Sequence, residues 1–314
     1  MKGWVPIVEP DIRVYYSRQH AGPEYGSPLR KTHGATVDLM RKMPFNQIPR
    51  QRPHAIAAGD VTIRRVATLL EYDECVLIER ETWGSQFTES VPATILRIAQ
   101  EVGGVTAAAF APDGAMLGFV FGITGVRDGE LSHWSDLLAV RAAARDMGLG
   151  KRLKAFQREL LLQIGVRSMY WTYDPLVARN AYLNLQQLGA RVAEYRPNFY
   201  GEDTGSVMHA ALGTDRFIVR WRLDEEVRHY APDAGWVSTP VIGKNCPATL
   251  PDTGRVRIAI PDDIFAVLGA DAASAEKWRE STREAFITYL DRGYTIAGFT
   301  RGDGAEPGTY LLER

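Results

Sequence analysis

The chain has 314 residues, of which 45% are hydrophobic and 24% are charged, and its formal net charge is −1 at pH 7. This composition is typical of a globular protein of about two domains, and the balanced charge predicts neither a nucleic acid nor an anionic membrane as the main partner. Because the sequence has no run of about 18 apolar residues and no apparent leader segment, we expect a cytoplasmic protein. Cys75 and Cys246 stand too far apart to predict a disulfide framework or a thiolate metal site.

The first 58 residues differ from the rest of the chain. They carry nine Lys or Arg against four Asp or Glu, together with seven prolines. Proline interrupts helices and central strands, so residues 1–58 are predicted to form an irregular, basic, Pro-rich arm.

Residues 59–223 show regular hydrophobic periodicity. The first helix is predicted with Glu79 and Arg80 on its outer face, and the second is predicted to open at Ser90. The order β-α-α-β-β-β-α-β-α-β-β indicates an α+β domain on a mixed sheet, since a doubly wound sheet would alternate regularly. Strands are predicted at 61–64, 105–111, 116–124, 131–140, 166–173, 191–195 and 217–223, and helices at 66–83, 90–103, 148–164 and 175–188.

Residues 224–314 predict a smaller accessory α+β unit. Strands at 256–260, 294–300 and 309–312 accompany a helix at 272–291. We find no set of catalytic residues in this unit. Its strands could instead extend a sheet of a second copy, which would make the protein a homodimer.

A glycine-rich segment joins the strand at 131–140 to the helix at 148–164. Backbone N–H groups at a helix start lack partners within the helix, and the helix dipole favours an anion there, above all a phosphate. Gly148 and Gly150 allow close approach to these amides, and Arg145 and Lys151 add positive charge. The segment lacks the residues of a Walker loop and the third glycine of a dinucleotide fingerprint. It matches the pattern (Arg/Gln)-x-x-Gly-x-(Gly/Ala) at every specified position.

The motif, the strand before it, the helix after it and the element order resemble the GCN5-related N-acetyltransferase (GNAT) superfamily over about residues 60–223. Residues 182–190 and 197–201 resemble a poorly characterised branch of predicted acetyltransferases. The resemblance implies a sheet that splays after the strand ending at Val140, with acyl-CoA in the gap. The implied cofactor-binding residues are Leu138, Ala139, Val140, Arg145, Asp146, Met147, Gly148, Leu149, Gly150, Lys151 and Asn180.

The resemblance also implies a reaction. An amine attacks the thioester of acetyl-CoA or another short acyl-CoA directly, without a metal or a protein nucleophile. The expected function is therefore an acyl-CoA-dependent N-acyltransferase for a small-molecule amine such as an amino acid. A succinyl donor would need a cation near the acyl terminus, for which Arg141 is a candidate. The alternative is a catalytically silent CoA-binding regulatory or scaffold domain.

Several superfamily members carry a carboxylate in the strand before the motif, at a place that corresponds here to about Trp134. Strict alternation puts Trp134, Asp136, Leu138 and Val140 on one face, which makes Asp136 the candidate base. His133 has the more suitable ordinary pKa but projects from the opposite face of a regular strand. A bulge would reverse that choice, and a purely structural role for Asp136 stays open.

The general acid is less clear from the sequence. Members carry a tyrosine four residues before the glycine that ends the next helix, a place that Leu185 occupies here. Tyr173 and Tyr182 are the remaining candidates, and bulk water is a third.

The acceptor pocket is expected between the first two helices and the loop at 196–201. Arg196, Asn198 and Tyr200 could recognise a carboxylate and an amine, although an ordinary polar loop fits the pattern equally well. Aromatic residues at these spacings could line the pocket or belong to the core. They are Trp83, Phe87 and Trp134.

Overall fold

The computed structural model describes residues 60–201, 204–205, 212–227, 230–304 and 306–314. The predicted Pro-rich arm at 1–58 therefore lies entirely outside the described residues. The chain divides into two units at residues 54 and 55, and everything described belongs to the second. The domain boundary between 223 and 224 stays a prediction.

Local sequence signals set the helix ends. Thr68 accepts a hydrogen bond from the backbone N–H of Glu71, whose carboxylate accepts in turn from the Thr68 backbone N–H, a capping box that begins the first helix. The helices are α1 (Leu69–Trp83), α2 (Ala93–Glu101), α3 (Leu149–Gln163), α4 (Ala178–Ala181), α5 (Ile264–Ala270) and α6 (Ala272–Asp291). None of the described helices is long and apolar enough to cross a membrane.

The strands form two sheets. They are β1 (Thr62–Arg65), β2 (Val105–Phe110), β3 (Met116–Arg127), β4 (Glu130–Val140), β5 (Ser168–Tyr173), β6 (Arg191–Arg196), β7 (Arg216–Arg222), β8 (Val241–Ile242), β9 (Arg255–Ile260), β10 (Thr295–Thr300) and β11 (Gly308–Glu313). The first sheet has the order β1-β2-β3-β4-β5-β7-β6 and the second β10-β11-β9-β8. The predicted α+β class with a mixed sheet is confirmed.

The parallel join between β4 and β5 is short. It has three pairs, from Ser132 opposite Ser168 to Trp134 opposite Tyr170. All other neighbours in the first sheet are antiparallel. From residue 135 to residue 140, β4 has no described strand beside it on the β5 side, so the two halves of the sheet diverge there.

A bulge in β4 changes which side chains share a face. Phe121 lies opposite Leu137 and Gly122 opposite Ser135, which leaves Asp136 as the extra residue. Leu138 packs with the core on the α3 side, whereas Leu137 packs with the core below α1 and α2. The predicted alternation, with Asp136 and Leu138 on one face, is therefore wrong.

Two apolar cores cover the two faces of the first sheet. One lies under α1 and α2 and includes Cys75, Ile78 and Phe121. The other lies on the α3 side and continues into the second sheet. There the ring of Phe217 in β7 contacts Phe286 in α6, with ring centroids 4.8 Å apart.

Three local predictions differ from the structure. Ser90 does not cap α2 but donates a hydrogen bond to Glu79, and Pro92 takes the cap position. The predicted helix at 175–188 begins with α4 and continues as a π-helix, Tyr182–Gln187. The short elements β8 and α5 were not predicted, because neither is long enough to show periodicity.

Candidate active site

The divergence of β4 and β5 opens a cleft of about 340 Å³. Its wall combines residues of α1, α3, α4, α5, β4, β5 and β7 with residues of the connecting segments. They are Thr82, Trp83, Phe87, Glu89, Ser135, Asp136, Leu137, Leu138, Arg145, Lys154, Trp171, Thr172, Tyr173, Asp174, Val177, Arg179, Asn180, Leu183, Asn184, Tyr200, Arg216 and Phe265. Of the predicted catalytic and cofactor-binding residues, five line the cleft: Asp136, Leu138, Arg145, Tyr173 and Asn180.

The backbone of β4 presents alternate peptide groups to this cleft. The N–H of Arg141, directly after β4, donates to the carbonyl of Leu117 in β3, at 2.9 Å. Hydrogen-bonded positions alternate in an antiparallel pair, so the polar groups of Ala139 also point to β3, where it faces Phe119. Those of Leu138 and Val140 point to the side where β5 diverges. Ala139 therefore has its backbone turned away from the cleft, contrary to its predicted role.

The glycine-rich segment forms the start of α3. Gly148 adopts a left-handed conformation with φ +70°, and Asp146 does so with φ +66°, which turns the chain sharply before Leu149 begins the helix. Leu149 is buried and Met147 packs against the core, so these side chains anchor the turn. Arg145 and Lys151 are exposed beside it, which is the arrangement of an anion site.

Asp136 lies in the cleft wall on the α1 side of the sheet. Burial raises the pKa of its carboxyl group, a hydrogen bond from Trp134 opposes this, and the charge of Glu89 adds to it. A half-buried carboxylate with a raised pKa is suited to accept a proton. Neighbouring His133 does not share this face.

Glu79 is a second carboxyl group near Asp136, and it is completely buried. It accepts hydrogen bonds from the Ser90 hydroxyl at 2.6 Å and from the Val91 N–H at 3.2 Å. Burial raises its pKa to about 7, against these hydrogen bonds, and the charge of Asp136 raises it further. The predicted outward position of Glu79 is wrong, because its partners come from a loop that covers this part of α1.

His133 belongs to a buried chain of hydrogen bonds on the α3 side. Thr124 donates to the Gly103 carbonyl and therefore accepts from His133 Nδ1, 2.9 Å away. His133 Nε2 then accepts from Gln157, whose Oε1 accepts from Ser135 at 2.9 Å. Burial lowers the pKa of His133 to about 3. The ring is neutral and both nitrogens are engaged, so His133 is not placed as a base.

The two candidate tyrosines have different surroundings. Tyr173 lines the cleft and is buried, with its hydroxyl 3.4 Å from that of Tyr310. Burial raises its pKa above the ordinary range. Tyr182 is half-buried, stands outside the cleft wall and lies under the guanidinium of Arg301. Of the two predicted acids, Tyr173 alone reaches the cleft.

Asn180 and Asn184, which are four residues apart in the chain, have different surroundings. Asn180 is half-buried and lines the cleft. Asn184 is buried and accepts a hydrogen bond from the Trp171 indole N–H at 3.1 Å, so its carbonyl oxygen is already engaged within the protein.

Of the three polar residues of the expected acceptor loop, one lines the cleft. Tyr200 lines the cleft, and its hydroxyl is 2.9 Å from that of Thr172. Arg196 is exposed and forms an ion pair with Glu194. Asn198 accepts a hydrogen bond from Arg283, away from the cleft wall. The structure thus does not assemble the predicted carboxylate-binding set.

Two of the three aromatic candidates line the cleft. Trp83 and Phe87 stack with ring centroids 5.7 Å apart, and both line the cleft. Trp134 stacks on Phe199 at 6.2 Å, outside the cleft wall. Arg141 contacts Glu74 and Glu81 of α1 and is likewise not part of the wall.

No family model and no curated protein matches the chain. Solved structures that match part of it include the ribosomal-protein-S18-alanine N-acetyltransferase from Escherichia coli, at 20% identity and a TM-score of 0.40, over 53% of this chain and 96% of that one. A GNAT superfamily phosphinothricin acetyltransferase from Sinorhizobium meliloti, in complex with AcCoA, matches at 15% identity and 0.43, over 56% and 95%. The aminoglycoside 6′-acetyltransferase type Ii matches at 18% and 0.41, over 52% and 99%.

Two buried titratable residues, Lys154 in the cleft wall and Glu79 near Asp136, have no counterpart among those that the GNAT resemblance implies. Glu79 is hidden by tertiary packing, and Lys154 is buried although it is a lysine. The neighbours of Lys154 along α3 gave no sign of this. A charged residue beside Leu153 is ordinary in an amphipathic helix, and the burial of Lys154 follows from contacts of its side chain with Met169 and Trp171 of β5. Among the described residues, no group of three His, Cys, Asp or Glu could hold a metal ion.

Proposed function

We propose that this protein is an acyl-CoA-dependent N-acyltransferase of the GNAT type, with acetyl-CoA or another short acyl-CoA as co-substrate. One observation carries the proposal. The cleft runs along β4, where the peptide groups of Leu138 and Val140 point away from β3. The helix α3, which follows β4 in the chain, begins at Gly148. The first feature suits the amides of a pantetheine arm, and the second suits a pyrophosphate.

We assign each step of the proposed reaction to residues of the cleft. The amine nitrogen forms a bond to the thioester carbonyl carbon, and the carbon–sulfur bond breaks as the thiolate leaves. Asp136 takes the proton that the amine loses, because it is the carboxyl group that lines the cleft at the β4 bulge. Tyr173, or water, returns a proton to the thiolate. Asn180 lies on the wall where it can bind the pantetheine amides.

The acceptor side of the cleft favours a small amine. Glu89 and Asp136 supply negative charge, and Trp83 and Phe87 supply an aromatic wall. A protonated amine is attracted by both, through Coulomb and cation–π interactions. We therefore propose a small-molecule amine as acceptor, and an amino acid remains within this class.

The alternative is a protein that binds CoA without turnover. It rests on Leu185, which replaces the expected tyrosine and is buried in the core, so no hydroxyl reaches the thiolate from this place. Trp134, where a carboxylate is expected, supports the same alternative.

One assay separates these functions. The full chain is incubated with acetyl-CoA or succinyl-CoA and a panel of amino acids, polyamines and aminoglycosides, while free thiol is measured and CoA binding is titrated in parallel. Amine-dependent thiol release is expected. CoA binding without such release would favour the silent alternative, and the absence of CoA binding would refute both.

A further inference from the structure

A buried lysine lies at the point where β4 and β5 separate. Lys154 is 2% exposed, and its Nζ is 4.0 Å from the ring centroid of Trp171 and 3.9 Å from Met169 Sδ. Met169 is opposite His133 in the short parallel ladder, and Trp171 is the first β5 residue beyond the ladder. Both Lys154 and Trp171 line the cleft.

The described residues offer the Lys154 side chain no counter-ion. Its neighbours are an aromatic ring and a thioether sulfur, and none of the ion pairs among the described residues includes Lys154. Burial lowers its pKa well below the ordinary value for lysine. A buried charge is expensive without a partner of opposite sign, and a carboxylate in the cleft would supply one.

The position of Lys154 indicates which of the two substrates, the acyl donor or the amine, it would contact. It projects from α3, the helix whose first turn forms the anion site, and it contacts the α3 face of β5. The carboxyl groups of the acceptor side, Asp136 and Glu79, lie on the α1 side of the sheet. An anion that meets Lys154 therefore arrives with the acyl donor rather than with the amine.

We propose that Lys154 binds a carboxylate at the far end of the acyl group, so that the preferred donor is the CoA thioester of a dicarboxylic acid, such as malonyl-CoA or succinyl-CoA. This inference rests on the proposed acyl-CoA function. It assigns to Lys154 the role that the sequence offered to Arg141, whose guanidinium is instead bound by Glu74 and Glu81.

The test compares donors that differ mainly in the carboxylate. Dissociation constants are measured by calorimetry for malonyl-CoA against propionyl-CoA and for succinyl-CoA against butyryl-CoA, with no amine present. Without an amine, an acceptor carboxylate cannot produce the effect. We expect the wild-type protein to bind the carboxylate-bearing member of at least one pair ten-fold or more tightly, and Lys154→Met to lose this preference. Lys277→Met, the same change at an exposed position of α6, should keep it.

Each contrary result has a distinct meaning. Equal affinities within both pairs in the wild-type protein would overturn this inference while leaving the acyl-CoA function intact, and this comparison does not depend on the variant's folding. A preference that survives in folded Lys154→Met would overturn the role of Lys154. An acyl adduct on Lys154, detected by intact mass and peptide mapping, would make it a nucleophile instead. Failure of CoA and all four thioesters to bind would overturn the proposed function as well.

Discussion

At the scale of single residues, two carboxyl groups on the α1 side of the sheet have raised pKa values but different surroundings. Asp136 borders the cleft, whereas Glu79 is enclosed by the hydroxyl of Ser90 and the N–H of Val91. Exposure to the cleft makes Asp136 able to exchange a proton with a substrate. Because Glu79 is enclosed, its ionisation affects the free energy of unfolding rather than proton exchange with a substrate.

We predict that Asp136→Asn lowers kcat by about 10²- to 10⁴-fold, the usual contribution of a general base. In the wild-type protein, kcat/KM should rise with pH as Asp136 loses its proton, at a pH above the ordinary range of aspartate because burial raises its pKa. This limb of the pH–rate profile should vanish in the variant. Asp128→Asn, in the exposed turn before β4, serves as the control. An unchanged profile in Asp136→Asn would return Asp136 to a structural role.

Glu79 predicts a pH-dependent stability. Its pKa of about 7 in the folded protein exceeds its ordinary value of 4.5, so the folded state holds a proton that the unfolded state releases. This contribution is complete below pH 4.5 and is lost as pH rises through 7, which lowers the free energy of unfolding by roughly 3 kcal/mol. Urea unfolding between pH 4.5 and 8 should show this decline in the wild-type protein and a flatter curve in Glu79→Gln. Parallel curves for the two proteins would contradict the prediction.

At the scale of elements, a substitution at the start of α3 can disturb ligand binding without disturbing the fold. Gly150 lies in the first turn, and a Cβ there would meet Leu138 and Leu183 at 3.8 and 4.0 Å, ordinary contact distances. An aspartate in the first turn is also favourable to the helix dipole. The fold should therefore tolerate a side chain that an anionic ligand cannot.

We predict that Gly150→Asp weakens CoA binding by about 100-fold or more, because it places a negative charge against the pyrophosphate. The melting temperature should stay close to that of the wild-type protein. Gly150→Asn, with the same shape and no charge, is the control and should bind CoA more tightly than the aspartate variant. Equal affinity in the aspartate variant and the wild-type protein would place the phosphate site elsewhere.

Features set by local sequence could be predicted, whereas features set by tertiary contacts could not. The strand, the glycine-rich turn and the helix from residue 131 to residue 164 depend on local periodicity and glycine, and all three are present. The bulge at Asp136 is defined only against β3, where the His133 ring packs over Gly122 and leaves no room for a Cβ. The same holds for Glu79 and Lys154, whose burial depends on elements distant in the sequence.

At the scale of the whole molecule, charged side chains of α6 are bound to the first sheet. The buried guanidinium of Arg279 donates to Asp174, directly after β5, at 2.6 Å and to the Leu212 carbonyl at 2.7 Å. Arg283 donates to Asp215, directly before β7, at 2.6 Å. These contacts and the shared apolar core connect both sheets.

We predict that Arg279→Met lowers the free energy of unfolding by about 3 to 5 kcal/mol, because it leaves the charge of Asp174 without its nearest partner. Denaturation should remain one cooperative transition when followed by circular dichroism and by tryptophan fluorescence. Lys277→Met on the exposed side of α6 should have little effect. Two separate transitions would instead show that residues 59–223 and 224–314 unfold as independent domains.

The divergence of β4 and β5 also bears on aggregation. An unpaired strand edge on a protein surface can recruit the strand of another molecule. Here the unpaired part of β4 is flanked by α3 on one face and by α1 on the other, and it opens into a cleft of about 340 Å³. We expect this space to exclude a peptide strand with side chains on both faces and to admit a thin, unbranched chain with occasional amide groups. Under the proposed function, this sheet edge would then serve a small linear ligand and be withheld from other proteins.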